Sequence, residues 1–396
     1  MNKRQKKENM NEFSLIPYYL IRHIYTNFGY RIDKLIHTFV GFTPRNKYEL
    51  KNAVIEWTRC KINAENLFGH ISFWNTQLIT DMEDLFSHHS SFNENIGKWN
   101  VSNVVNMNCM FFGAKSFNKD LSTWDVGKVK DMAFMFCGAE SFNQNISNWN
   151  VTNVCDMQNI FYDAHKFDQP LNRWNVKNVK NMDNMFEGAY SFNQPLNDWN
   201  VENVESMIGM FAGSAFNHPI NDWNVSKVED MRYMFIDTPF NQDINTRQVT
   251  KNGRNYIAWD VSNLRYAMAM FFKSNFNHSI YRWKLNNVDI SNMFCFCKNF
   301  NKSLEFLSYC ENIKYNNIID EYLRNEDETG QAWYILNDEP LCDIPRQLDT
   351  TFKSLYYNSS ISIENLPFYI NGKFIPEKVF KIRQLLHNLL SIHNLR

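Results

Sequence analysis

The sequence predicts an α/β solenoid of about nine stacked coils, each with one short parallel strand and one short helical turn, closed by helical caps. Three observations lead there. Tryptophan recurs at Trp74, Trp99, Trp124, Trp149, Trp174, Trp199, Trp223, Trp259 and Trp283, in steps of 25, 25, 25, 25, 25, 24, 36 and 24 residues, which is the signature of a repeat array. Alignment on these residues yields one template, F-N-x-x-[I/L]-x-x-W-[N/D]-V-x-x-V-x-x-M-x-x-M-F-x-x-A. A unit of this size cannot bury its own apolar side, so its copies must stack on one another. The composition agrees: 44% hydrophobic and 16% aromatic residues exclude a disordered chain, and with only 13 Gly and 10 Pro the turns must rest on Asn and Asp.

Three regions follow: an N-terminal helical cap at 1–73, the repeat solenoid at 74–305 and a C-terminal mixed α/β cap at 306–396. In the first, Asn46 and Glu49 form an N-x-x-E capping pattern ahead of Leu50, Ala53, Val54 and Trp57, an amphipathic helix suited to cover the Trp74 layer. Residues 12–28 carry an L-x-P-x-x-L-x-x-x-I spacing that faintly resembles the start of an F-box, though an apolar cap helix explains it more simply.

Within a coil, the Trp149-x-Val151 alternation puts both side chains on one face of a strand, and Val154, Met157 and Ile160 at every third residue predict the helical turn. The residues expected in the shared core are Trp99, Trp124, Trp149, Trp174, Trp199 and Trp223; Met107, Met132, Met157, Met182 and Met207; and Phe117, Phe142 and Phe192. Gly113, Gly138 and Gly188 stand where the chain must take positive φ. The Asn after each repeat Phe, from Asn93 and Asn118 onward, should form a ladder that Asp168 interrupts only mildly. The step of 36 carries an insertion, TRQVTKNGRNYIA, expected to bulge as an exposed loop. Past residue 305, Phe368 to Ile375 reads as a hairpin on Asn371-Gly372, and Val379, Phe380, Ile382, Leu385, Leu386, Leu389 and Leu390 form an apolar helical stripe.

At this point the repeats also carry a family resemblance. SFNQNISNWNVTNVCDMQNIF and SFNQPLNDWNVENVESMIGMF resemble the repeat of the BspA-like leucine-rich repeat family, the DUF285 "surface protein" repeat, with a consensus similar to FNQDISNWDVSNVTDMSxMFxxA. FTPRNKYELKNAVIEW with FGHISFWNTQLITDMEDLF resembles the family's helical lead-in. The resemblance implies a leucine-rich-repeat-like solenoid without enzyme activity and, in bacterial members, binding or adhesion at the cell surface.

No phosphate-cradling Gly loop, nucleophile elbow or spaced carboxylate pair occurs, so neither catalysis nor a cofactor is expected. His88 with His89 and Cys295 with Cys297 lack metal-site spacing, so no metal is expected either. Lys plus Arg is 41 against 42 for Asp plus Glu, a net charge of −1, which gives no field for nucleic acid. No run approaches the roughly 18 apolar residues of a membrane span. Eight irregularly spaced cysteines suggest free thiols in a reducing compartment, so an intracellular location is expected, with a cell or virion surface as the alternative.

Binding is therefore expected on an outward row of the solenoid, with a protein partner not named by the sequence. The residue after each Trp is almost always Asn or Asp, whereas the residue before it varies: Lys98, Thr123, Asn148, Arg173, Asp198, Asp222, Ala258 and Arg282. That row is the candidate partner-binding face of a non-enzymatic interaction scaffold. The runner-up functions are a ubiquitin-ligase-type substrate adaptor docking through 12–28 and a surface adhesion protein.

Overall fold

A computed structural model describes residues 41–251, 253–297, 299, 300 and 302, together with two short strands further on. The possible F-box-like segment at 12–28 and the helical stripe after Pro376 lie outside the described residues. The chain divides into two compact units, Met1–Val179 with Ala189–Gln194 and Lys180–Gly188 with Pro195–Arg396.

The first unit opens with α1 (Lys47–Arg59) and α2 (Lys61–Phe68). Asn46 caps α1 by accepting from the Glu49 N–H at 3.0 Å, and Glu49 accepts in return from the Arg45 N–H, one residue earlier than in a regular capping box. Leu50, Ala53, Val54 and Trp57 are buried. Phe42, Trp57 and Phe68 set their rings edge-on to Trp74 at 5.2, 5.9 and 6.0 Å. The helical pair thus closes the first tryptophan layer.

Among the described residues the coils carry neither helix nor extended strand, and the reason lies in where their N–H groups go. Between Met107 and Ala114 the N–H groups alternate. Those of Met107, Cys109, Phe111 and Gly113 donate to Asp131, Ala133, Met135 and Cys137 of the next coil at 2.7–3.0 Å. Those of Met110, Phe112 and Ala114 close four-residue β-turns within the coil. An α-helix would have turned every N–H back on its own chain. Cys109 and Gly113 take φ of +53° and +66°, as consecutive turns with a left-handed corner require. The helical turn expected from the three-residue Met spacing is therefore replaced by a run of β-turns, because both conformations place every third residue on one side.

The strand is displaced as well. Trp99 and Val101 both face inward, but through two successive turns, closed by the Trp99 N–H on Ile96 and the Val104 N–H on Val101. Between them Asn100 accepts from the Ser102 N–H in an Asx turn. Parallel pairing comes five residues later, as single-residue bridges Asp81 to Asn106, Asn106 to Asp131 and Asp131 to Asp156. The second unit repeats it at Asn181, Ser206, Asp230, Tyr266 and Asp289.

Aromatic columns fill the interior. In the first unit Phe92, Phe117, Phe142, Phe167 and Phe192 stack at centroid spacings of 5.8–6.1 Å, alongside Phe86, Phe111, Phe136 and Phe161 at 5.4–5.8 Å. The indole N–H groups of Trp99, Trp124, Trp149 and Trp174 each donate to the carbonyl of an Ile or Leu about one coil earlier, Trp149 to Leu121 at 3.0 Å and Trp174 to Ile146 at 3.0 Å. Met107, Met132 and Met157 are buried among them. In the second unit Met182, Met207, Trp199 and Trp223 are buried likewise, and Phe186, Phe211, Phe235, Phe271 and Phe294 stack at 5.4–5.8 Å.

The Asn column forms through side chain to backbone bonds. Asn93, Asn118 and Asn143 each accept from the backbone N–H of the next member at 3.0 Å. Asp168 keeps its place, its carboxylate accepting from the Asn193 N–H. In the second unit the 36-residue step holds a hairpin, β1 (Arg247–Lys251) paired antiparallel with β2 (Arg254–Ala258). Further on, β3 (Tyr369–Ile370) pairs antiparallel with β4 (Lys373–Phe374).

Candidate partner-binding surface

Except at Trp259, whose N–H donates instead to the Trp223 carbonyl and is preceded by the buried Ala258, the residue before each repeat Trp sits at the corner of the turn that the Trp N–H closes, so the buried indole fixes where the corner side chain emerges. In the first unit this holds for Lys98, Thr123, Asn148 and Arg173, all exposed, on four consecutive coils. The Lys98 ammonium lies 5.6 Å over the Phe73 ring, and the Thr123 hydroxyl donates to the Gly97 carbonyl at 2.9 Å. The Asn or Asp after each Trp forms no ladder: Asn100, Asp125, Asn150 and Asn175 each accept from the N–H two residues on. Their near-uniformity is local turn chemistry.

In the second unit the same row is partly covered. The insertion does not bulge as a free loop. It folds as the hairpin β1–β2 against the coils that precede it. Arg247 pairs with the Asp222 carboxylate, and Asn221, with its amide oxygen turned toward the guanidinium, accepts from both terminal nitrogens at 2.9 and 3.1 Å. The Arg247 Nε is buried and meets no hydrogen-bond partner among the described residues. Tyr256 donates its hydroxyl to the Asp222 carbonyl at 2.7 Å. Burial, and then the Asp222 charge, raise that phenol above its ordinary range. Lys251 reaches the Asn197 carbonyl at 2.9 Å and the Asp198 carboxylate at 3.2 Å. Asp222 is therefore half-buried under a hairpin, whereas Arg282, stacked on Tyr281 at 5.2 Å, is exposed.

The hairpin's seat is polar. Gln248, Thr250, Arg254, Asn255 and Ile257 are exposed, and Ala258 at the base is its only buried side chain. Exposed ion pairs contribute about 0.2–1 kcal/mol each, and an isolated two-stranded hairpin is marginal in water. A second exposed row goes unnoticed from the sequence: Thr80, Val105, Lys130 and Cys155 in the first unit, and Lys180, Glu205, Glu229 and Arg265 in the second. These residues flank the parallel bridges. Lys180 with Glu205 and Arg265 with Glu229 pair at 3.2 Å, each across neighbouring coils. The signal was the freely varying residue between the second Val and the Asn or Asp before Met.

The cysteines offer little chemistry. Cys60, Cys109, Cys137, Cys155, Cys295 and Cys297 are free thiols, and Cys310 and Cys342 lie outside the described residues. Burial pushes Cys297 up to about 11, Cys109 to about 11 and Cys137 to about 12, so these stay protonated near neutral pH. Among the described residues no group of His, Cys, Asp or Glu is arranged to hold a metal, and no helix is long and apolar enough to cross a membrane.

The model of a family described as "Mycoplasma protein of unknown function, DUF285" matches residues 56–174, 155–257 and 250–327. No curated protein and no solved structure matches the chain. The three matches run from ahead of the Trp74 layer through every coil, over more than half the sequence, and the chain belongs to the DUF285 family, a repeat family of the BspA-like kind.

Proposed function

We propose that this protein is a non-enzymatic scaffold for protein binding, with its 25-residue units forming solenoid-type stacks and its partner held on the row before each Trp. The observation that carries this reading is the row Lys98, Thr123, Asn148 and Arg173. Four chemically different side chains stand exposed at the same turn corner of four consecutive coils, each positioned by a buried indole. Side chains held in parallel on stacked repeats are how repeat arrays bind extended partners. The absence of motifs for nucleophilic, phosphoryl-transfer or metal chemistry in the sequence favours a binding role, and its cysteine usage favours an intracellular setting.

The test is a photo-crosslinking residue at position 148, with the full chain expressed in its native cell, and the same protein carrying Lys98→Ala, Thr123→Ala and Arg173→Ala. The expected result is one defined set of crosslinked proteins, reduced at least tenfold in the triple variant. Undiminished crosslinking in a folded triple variant overturns the assignment of this row.

A further inference from the structure

In the second unit the row before each Trp already holds a strand, and that strand shows what chemistry the row accepts. β1 brings a guanidinium and an ammonium four residues apart, on the same face of a strand, to Asp222 and Asp198. The receiving surface adds two backbone carbonyls, from Asn197 and Asp222, to those carboxylates. It thus offers acceptors alone to a guanidinium, an ammonium and the Tyr256 hydroxyl, apart from Asn221, which turns its oxygen to the guanidinium. Ala258 at the base is the only fully buried side chain of the strand pair, with Val249 and Tyr256 half-buried, and the fit is imperfect, since the buried Arg247 Nε goes unbonded among the described residues. A segment held chiefly by partly solvated polar bonds can exchange with a competitor that offers the same donors.

We propose that the Asp198–Asp222 row is a recognition site for a basic extended segment of a protein partner, one with Arg and Lys four residues apart, and that hairpin β1–β2 is its resident occupant, displaced when such a segment binds. This rests on the scaffold reading above and names the partner's class for the second unit. The hairpin then acts as an internal competitor that lowers the apparent affinity by the fraction of time it is seated. A nucleic acid is excluded as occupant by the charge of the row.

The test uses purified full chain and, as probe, a fluorescent backbone-cyclised peptide of residues 246–258. In wild type the peptide should bind weakly. In Arg247→Ser/Lys251→Ser, which loosens the resident hairpin, it should bind at least tenfold more tightly, and added Asp198→Asn/Asp222→Asn should remove that gain. Tightening should fall as salt rises from 50 to 500 mM, as screening requires. Equal affinity for wild type and the loosened variant, or a gain that survives neutralisation of both carboxylates, overturns the proposal. Should the loosened variant fail to fold, hydrogen exchange on wild type decides. Excess peptide must speed exchange at the β1–β2 amides, and unchanged protection overturns the displacement. Neither readout involves position 148, so failure here leaves the first-unit row standing.

Discussion

Asp156 shows how one side chain can be in the right place and the wrong charge state. Its oxygen accepts from the Gln158 N–H at 2.9 Å, the same turn that Asn106 makes with Asn108 and Asn181 with Asp183. Burial, with the charge of Asp131 on the adjacent coil, nevertheless holds its carboxyl above the ordinary carboxylate range. A raised carboxyl favours the fold when protonated, so the folded state loses stability as pH climbs through the ordinary carboxylate range and past the folded value. Asp156→Asn keeps the acceptor without the charge. It should melt close to wild type near pH 4 and about 1–3 °C higher near pH 7, as thermal scans at both pH values will show. Gly138 poses the opposite case. At φ +67° it sits in the left-handed region, and a Cβ would lie 3.5 Å from Gly113, an ordinary contact. The cost of Gly138→Ala is therefore conformational, about 1 kcal/mol, measurable by urea unfolding.

At the scale of one coil, the period, the buried columns and the Asn ladder were all legible in the sequence, because each depends only on which side of the chain a residue faces. The conformation between those positions was not. Trp-x-Val spacing arises from a strand or from two turns, and Met-x-x-Met from a helix or from consecutive turns. The deciding quantity is the destination of each N–H, which depends on the next coil. The hairpin was not legible, since Asn252-Gly253 suits an exposed loop equally well, and its seat was hidden because Arg247 and Lys251 meet residues 25 and more positions earlier in the chain. The indole clamp is the coil's most sensitive joint. Trp149→Phe leaves the Leu121 carbonyl buried without its donor and should cost about 1–3 kcal/mol, beyond the volume lost, in equilibrium unfolding.

For the whole molecule, the stack needs a lid wherever a coil's apolar layer would otherwise meet water. α1 and α2 supply it at Trp74, with Lys47 pinning α1 to Asp81 and Glu83 at 3.1 and 2.7 Å. Trp57→Ala should destabilise by about 3–5 kcal/mol and raise light scattering on warming, since the uncovered Trp74 face is a ready template for a second molecule. Lys47→Ala should cost well under 1 kcal/mol by the same melt, because its pairs are partly solvated. Charge offers little protection against association: with a net charge of −1 and an isoelectric point near 6.8, solubility should be lowest close to neutrality.

The alternating donors of each coil have an evolutionary consequence. Because N–H groups not used within a coil are met by the carbonyls of its neighbours, a whole coil is the smallest piece of gene that duplication or deletion can move without stranding a row of buried donors. Extra sequence is admitted only where the backbone makes its own pairs before returning, as β1 and β2 do between Asn245 and Trp259. The lineage of this chain is thus free to lengthen by copying coils and to acquire new specificities by grafting self-paired hairpins at that junction.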